Sequence, residues 1–144
     1  MCLIVECAPD MEPHKIAKEP IKVYKLMITN KDKTKEVPQE YRSLCAYGAA
    51  NVGDTVRALS NEYPRSHCDS SYKKTYVIGP EGVHGYLTEE AARARIYMAD
   101  VITEWEIPAG AKYWEGTGGW EGEIAATEMK FIRVIAYRRK KHRR

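Results

Sequence analysis

The sequence is poor in phenylalanine and lacks long apolar runs. Of its 144 residues one is Phe, against ten Tyr and three Trp. No apolar run approaches the ~20 residues that cross a bilayer, and the N-terminal residues show no basic stretch followed by a long apolar one. We therefore expect a cytoplasmic protein that does not enter the membrane. With 44% hydrophobic and 30% charged residues, most of the chain is predicted to fold rather than to be disordered.

Cysteine is scarce and widely spaced. The four cysteines are Cys2, Cys7, Cys45 and Cys68. A structural zinc site needs paired ligands at short spacing, such as C-x2-C, and none is present. We therefore expect reduced thiols, no metal site and no resident cofactor.

The basic residues are concentrated at the C-terminus. Residues 138–144 hold six of the 23 Lys and Arg and no acid, so residues 1–137 carry a net charge of −3. This predicts one globular domain over 1–137 and a flexible basic tail over 138–144. Such a run binds nucleic acid or an acidic partner by releasing counterions, or it serves only to keep the protein in solution. The candidate contacts are Arg138, Arg139, Lys140, Lys141, Arg143 and Arg144.

Apolar alternation and turn residues predict an α+β fold dominated by antiparallel strands. One short helix is expected over 89–98, with Thr88 as its N-cap and acidic residues in its first turn. Loops are expected over 8–19 and 61–71, a hairpin strand over 34–37, and a helical piece after 52–56. In 101–107, alternation predicts a strand with one buried and one solvated face. The predicted strands are 2–6, 21–28, 72–78, 83–86, 101–107, 112–114, 120–126 and 129–137.

The junction between a strand and this helix is the first candidate site. His84, Tyr86 and Thr88 lie among glycines in residues 82–88, where flexible backbone meets the start of a helix and an anion can bind. The alternative is that His84 is a structural hydrogen-bonding group.

The second candidate site combines an aromatic residue with two carboxylates. Glu121 and Glu123 are two apart, so on one strand they would share a face, and their repulsion would raise one pKa. The alternative is a solvated pair beside a glycine loop. Trp120 next to them can stack on a planar ring, so a ligand cleft is expected between residues 82–88 and 120–123.

Several motifs together resemble a family of small uncharacterised proteins of bacteriophages, prophages and gut bacteria. The motifs are the Met1-Cys2-Leu3 start, the strand ending Tyr24-Lys25, the sequence Gly82-Val83-His84, and Ile107-Pro108-Ala109-Gly110-Ala111-Lys112-Tyr113. This resemblance implies a phage-type origin. One function class is then a phage-type accessory protein that binds a host defence protein or a small nucleotide-like ligand without catalysis, which the small size and the many Tyr and Trp residues favour.

A second resemblance is to the ADP-ribosyltransferase fold. It is carried by the order Tyr86-Leu87-Thr88, a helix, Ile107-Pro108-Ala109-Gly110, and Glu121-Gly122-Glu123. It implies an NAD-dependent transferase in which Glu123 holds the ribose and Glu121 assists. The position that cradles NAD in that fold is occupied here by Tyr24 rather than by Arg or His, which favours binding over catalysis. Whether the protein is an enzyme stays open at this stage, as does its oligomeric state.

Overall fold

The computed structural model describes residues 3–29, 41–43, 49–69 and 72–138. The strands are β1 (Leu3–Cys7), β2 (Lys15–Ile16), β3 (Ile21–Thr29), β4 (Tyr41–Ser43), β5 (Ala49–Ala50), β6 (Thr55–Arg57), β7 (Ser66–Asp69), β8 (Lys74–Ile78), β9 (Val83–Tyr86), β10 (Val101–Ile107), β11 (Lys112–Glu115), β12 (Glu123–Ala126) and β13 (Glu128–Tyr137). One α-helix, α1 (Glu89–Arg93), and two 3-10 turns, Ile96–Met98 and Gly118–Trp120, complete the described elements.

The strands form two antiparallel sheets. The larger has the order β2-β11-β12-β9-β3-β10-β13-β6, with β4 paired to β3 and β5 paired to β4, and the smaller has the order β1-β8-β7. The prediction of a mostly antiparallel fold with one short helix is confirmed. In the described residues, no helix is long and apolar enough to cross a membrane.

The main core covers one face of the larger sheet. Trp105 of β10 stacks on Phe131 of β13, with ring centroids 4.7 Å apart, and both side chains are fully buried. The opposite face of β10 was expected to be solvated, and this was wrong for two residues: Ile102 is fully buried and Glu104 is only 7% exposed. The reason is position, because β10 lies between β3 and β13 and its second face is covered in part by the helical segment.

The smaller sheet packs on the second face of the larger one. Leu3 and Ile78 from the small sheet cluster with Trp114 of β11 and Ala125 of β12, all nearly or fully buried. Because Trp114 and Ala125 are directly opposed across β11 and β12, they present one surface to the small sheet.

The helical segment covers the middle of the same face. Thr88 is the N-cap as predicted, its Oγ1 accepting a hydrogen bond from the Ala91 N–H at 3.1 Å. Ala92 is the buried residue of the helix and contacts Tyr86 in a common apolar cluster. The α-helix ends at Arg93, and a 3-10 turn follows at Ile96–Met98, so the single helix expected over 89–98 is two short pieces.

Most predicted strands are present, with ends shifted by one to three residues. The strands at 83–86 and 101–107 have the predicted bounds. The expected loops 8–19 and 61–71 each contain a short strand, β2 and β7, and the helical piece expected after 52–56 is replaced by strand β6. The expected hairpin strand 34–37, Cys2, Cys45 and residues 139–144 lie outside the described part of the chain.

Candidate functional site

The structure brings the two predicted site segments together. Strands β9 and β12 are hydrogen-bonded neighbours, with Tyr86 directly opposite Glu123. Just beyond this pair, the Leu87 N–H donates to the Gly122 carbonyl at 2.8 Å. The start of the helical segment and the loop before β12 therefore lie side by side.

A row of directly opposed residues crosses five strands on one face of the larger sheet. It runs Glu123, Tyr86, Tyr24, Glu104 and Arg133, on β12, β9, β3, β10 and β13. Opposed residues in antiparallel strands share a face, so this cross-strand row lies along one face of the sheet, with Tyr86 and Glu104 buried. The row places Tyr24, another candidate binding residue, directly opposite Tyr86.

The far end of the cross-strand row is a structural ion pair. Arg133 donates to both oxygens of Glu104, at 3.3 and 3.4 Å, and Lys22 lies 3.7 Å from the same carboxylate. Because Glu104 is almost buried, these two cations compensate its charge. The Glu104–Arg133 end of the row therefore stabilises the fold. The Glu123 end lies at the loop before β12.

Glu123 is a half-buried carboxyl at the first position of β12. Burial raises its pKa, and the positive charge of Arg95 acts in the opposite direction. Arg95 lies in the break between the α-helix and the 3-10 turn. Sequence reasoning missed Arg95, since a continuous helix to residue 98 was expected.

The second carboxylate does not join Glu123 on a strand. Glu121 is exposed in the turn before β12, and Gly122 between them adopts a φ of +86°. The rise in the Glu123 pKa therefore comes from burial and not from the repulsion expected between two strand neighbours. Glu121 instead offers an exposed carboxylate of the same type in the same loop.

Trp120 presents its indole on a firmly anchored loop. Trp120 is 36% exposed. Its backbone N–H donates to the Thr117 carbonyl at 3.1 Å. Thr117 in turn holds β1: its N–H donates to the Ile4 carbonyl at 3.0 Å, and its Oγ1 accepts from the Glu6 N–H at 2.9 Å. The loop that carries Trp120 is thereby fixed to the small sheet, three residues before Glu123 in the chain.

His84 is part of the buried framework. It is 6% exposed, and its Nε2 lies 2.9 Å from the Gly79 carbonyl oxygen, which makes Nε2 the protonated nitrogen. Its pKa is lowered to about 4, chiefly by burial, and the nearby positive charge of Lys25 acts in the same direction. Lys25 is itself buried, donates to the His84 carbonyl at 2.6 Å, and lies 5.5 Å from the Trp105 ring centroid. These contacts support the interpretation of His84 as a structural hydrogen-bonding group.

The structure describes one residue of the predicted basic tail, Arg138. Arg138 ends the described chain, with its backbone N–H donating to the Asp100 carbonyl at 2.7 Å and its guanidinium to the Tyr97 carbonyl at 3.0 Å. The rest of the basic tail is outside the described residues.

Among the cysteines, Cys7 is a free thiol.

Comparison with known proteins gave no match among family models, curated proteins or solved structures.

Proposed function

We propose that the protein binds a nucleotide-like ligand beside Glu123 and does so without catalysis. The observation that carries the proposal is the grouping at that point: a half-buried carboxylate, the Arg95 cation acting on it, and the exposed Trp120 indole on an anchored loop. The host-protein alternative rests on the resemblance to phage proteins and stays a prediction.

Each of these groups suits one part of a nucleotide. A carboxylate accepts hydrogen bonds from the two hydroxyls of a ribose, and a guanidinium binds phosphate oxygens in a fork. An indole face stacks on any purine or pyrimidine base, because every base has a flat aromatic face. Tyr86 supports Glu123 from the neighbouring strand as a buried residue, so the exposed aromatic surface is that of Trp120.

The experiment is a thermal-shift comparison of three proteins. ADP-ribose, AMP and NAD are titrated into the wild type, Glu123→Gln and Glu121→Gln, because at a given concentration a tighter ligand raises the melting temperature more. We expect Glu123→Gln to weaken binding by about 10- to 100-fold, the effect of losing one charged hydrogen-bond acceptor. Glu121→Gln removes the same charge from the same loop and should leave binding unchanged. Equal loss in both variants, or no stabilisation of the wild type, contradicts the proposal.

The second candidate is an NAD-dependent ADP-ribosyltransferase, and it is favoured by the position of Glu123 at the first residue of a strand that follows a glycine loop. In such an enzyme the carboxylate stabilises the cation that forms as nicotinamide leaves, an interaction made in the transition state. NAD would then be the substrate, and Glu123→Gln would abolish nicotinamide release while ADP-ribose still bound. The binding proposal expects no nicotinamide release from the wild type.

A further inference from the structure

The end of the described chain is held at a defined point of the fold. Strand β13 ends at Tyr137, and Arg138 follows it. The Arg138 N–H donates to the Asp100 carbonyl at 2.7 Å, and its guanidinium donates to the Tyr97 carbonyl at 3.0 Å. The basic sequence 139–144 therefore follows a residue that is hydrogen-bonded to the 3-10 turn and to the segment before β10.

Two exposed tyrosines lie at this point. Tyr97 is 69% exposed, and Tyr137, directly before Arg138, is 43% exposed. The Tyr137 hydroxyl lies 3.3 Å from the Tyr41 hydroxyl, so one end of that side chain already has a protein neighbour. Tyr97 is the more exposed of the two and is the better placed to offer a ring to a ligand.

The sign of the charge changes at the same point. Residues 139–144 contain five Lys and Arg and no acid, whereas residues 1–137 carry a net charge of −3. Asp100, whose carbonyl accepts the Arg138 N–H, uses a carboxylate oxygen to accept the Thr29 N–H at 3.1 Å. A polyanion is therefore attracted to the C-terminal end and not to the rest of the molecule.

We propose that the C-terminal end binds single-stranded nucleic acid, with a base stacked on Tyr97 and phosphates neutralised by the Lys and Arg of 138–144. Basic groups beside an exposed aromatic ring are the combination by which proteins hold unpaired strands of any sequence. A duplex offers the same phosphates but keeps its bases stacked on one another, and an acidic polypeptide offers charge without bases. This site is additional to the nucleotide site proposed at Glu123.

The test is fluorescence anisotropy with a labelled oligothymidylate of twelve nucleotides. Contacts from five basic residues to phosphates predict that affinity falls about 100-fold between 50 and 200 mM salt. Removing residues 139–144 should cost about as much at 50 mM salt. The single strand should bind more tightly than a duplex of equal length or polyglutamate. No binding at 50 mM salt, or equal affinity for all three probes, overturns the proposal.

Substitutions at tyrosine test the stacking. Tyr97→Ala should weaken the oligothymidylate about 5- to 150-fold, the effect of losing one base–aromatic contact, and should leave the salt dependence unchanged. Tyr97→Phe keeps the ring and should bind like the wild type. Tyr72→Ala is the matched control, since Tyr72 is 75% exposed but precedes β8 of the small sheet, and it should change nothing. Equal loss in Tyr97→Ala and Tyr72→Ala, or displacement of the oligothymidylate by ADP-ribose, contradicts this site.

Discussion

Mild acid should destabilise the protein through His84. The folded protein holds this imidazole neutral, with a pKa lowered from 6.5 to about 4, chiefly because the ring is buried. The Nε2–H is committed to the Gly79 carbonyl, and a second proton on Nδ1 would place a cation beside the buried Lys25 ammonium. The unfolded chain has no such restriction and takes up the proton near pH 6.5.

The sign and size follow from linkage. Between pH 6.5 and 4 the unfolded chain binds more protons than the folded protein, so the free energy of unfolding rises with pH in this window. The stabilisation is fully present above pH 6.5 and is lost progressively below it. At pH 5 the loss relative to pH 7.5 amounts to about 2 kcal/mol, a large share of a typical domain's stability.

Urea unfolding at pH 7.5, 6 and 5 measures this loss, with His84→Gln as the comparison. Gln retains an N–H donor for the Gly79 carbonyl and does not titrate, so the difference between the two pH profiles isolates His84 from His14, whose pKa burial also lowers. We expect the wild type to lose about 2 kcal/mol more than the variant between pH 7.5 and pH 5. Parallel profiles, or an NMR titration that places the His84 pKa near 6.5, refute the reasoning.

Three further predictions concern the scaffold of the site. A Cβ at Gly116 would lie 2.2 Å from the Trp120 carbonyl oxygen and 2.8 Å from Leu3, so Gly116→Ala should lower the free energy of unfolding by about 1–3 kcal/mol. Gly119→Ala in the same loop meets nothing within 4 Å and should be nearly neutral in the same urea titration. Thr88→Ala should cost about 1 kcal/mol through loss of the N-cap, and Thr88→Ser should restore it; a Ser variant as unstable as Ala would contradict the cap. Removing residues 139–144 should leave the melting temperature unchanged. Removing Arg138 as well should lower it, because Arg138 makes two hydrogen bonds to the chain before β10. Equal melting temperatures of the two truncated proteins would show that those bonds contribute nothing.

Sequence patterns predicted the long strands and the Thr88 cap because these depend on local residue choice. The bounds of β9 and β10 followed from alternation and from the turn residues that flank them. β2 was missed because it is a short strand whose partner, β11, lies far away in the chain, so no local pattern in residues 8–19 specifies the pairing. β7 was missed although its partner β8 is the next strand, because residues 61–71 consist mostly of turn-forming residues.

The site was predictable only in part. Glycines and aromatics marked residues 82–88 and 120–123, and the pairing of β9 with β12 places them together. The burial of Glu104 depends on the neighbours of β10, and the electrostatic effect of Arg95 on Glu123 depends on tertiary structure that no local pattern specifies.

The most direct test of ligand binding at Glu123 is an NMR titration of the labelled protein with ADP-ribose, read at the indole N–H resonances. Our account predicts that the Trp120 resonance moves saturably and that the Trp114 resonance stays in place, since Trp114 is buried against the small sheet. Movement of the Trp120 resonance should be weakened in Glu123→Gln and retained in Glu121→Gln. An unchanged Trp120 resonance at saturating ADP-ribose would contradict the account.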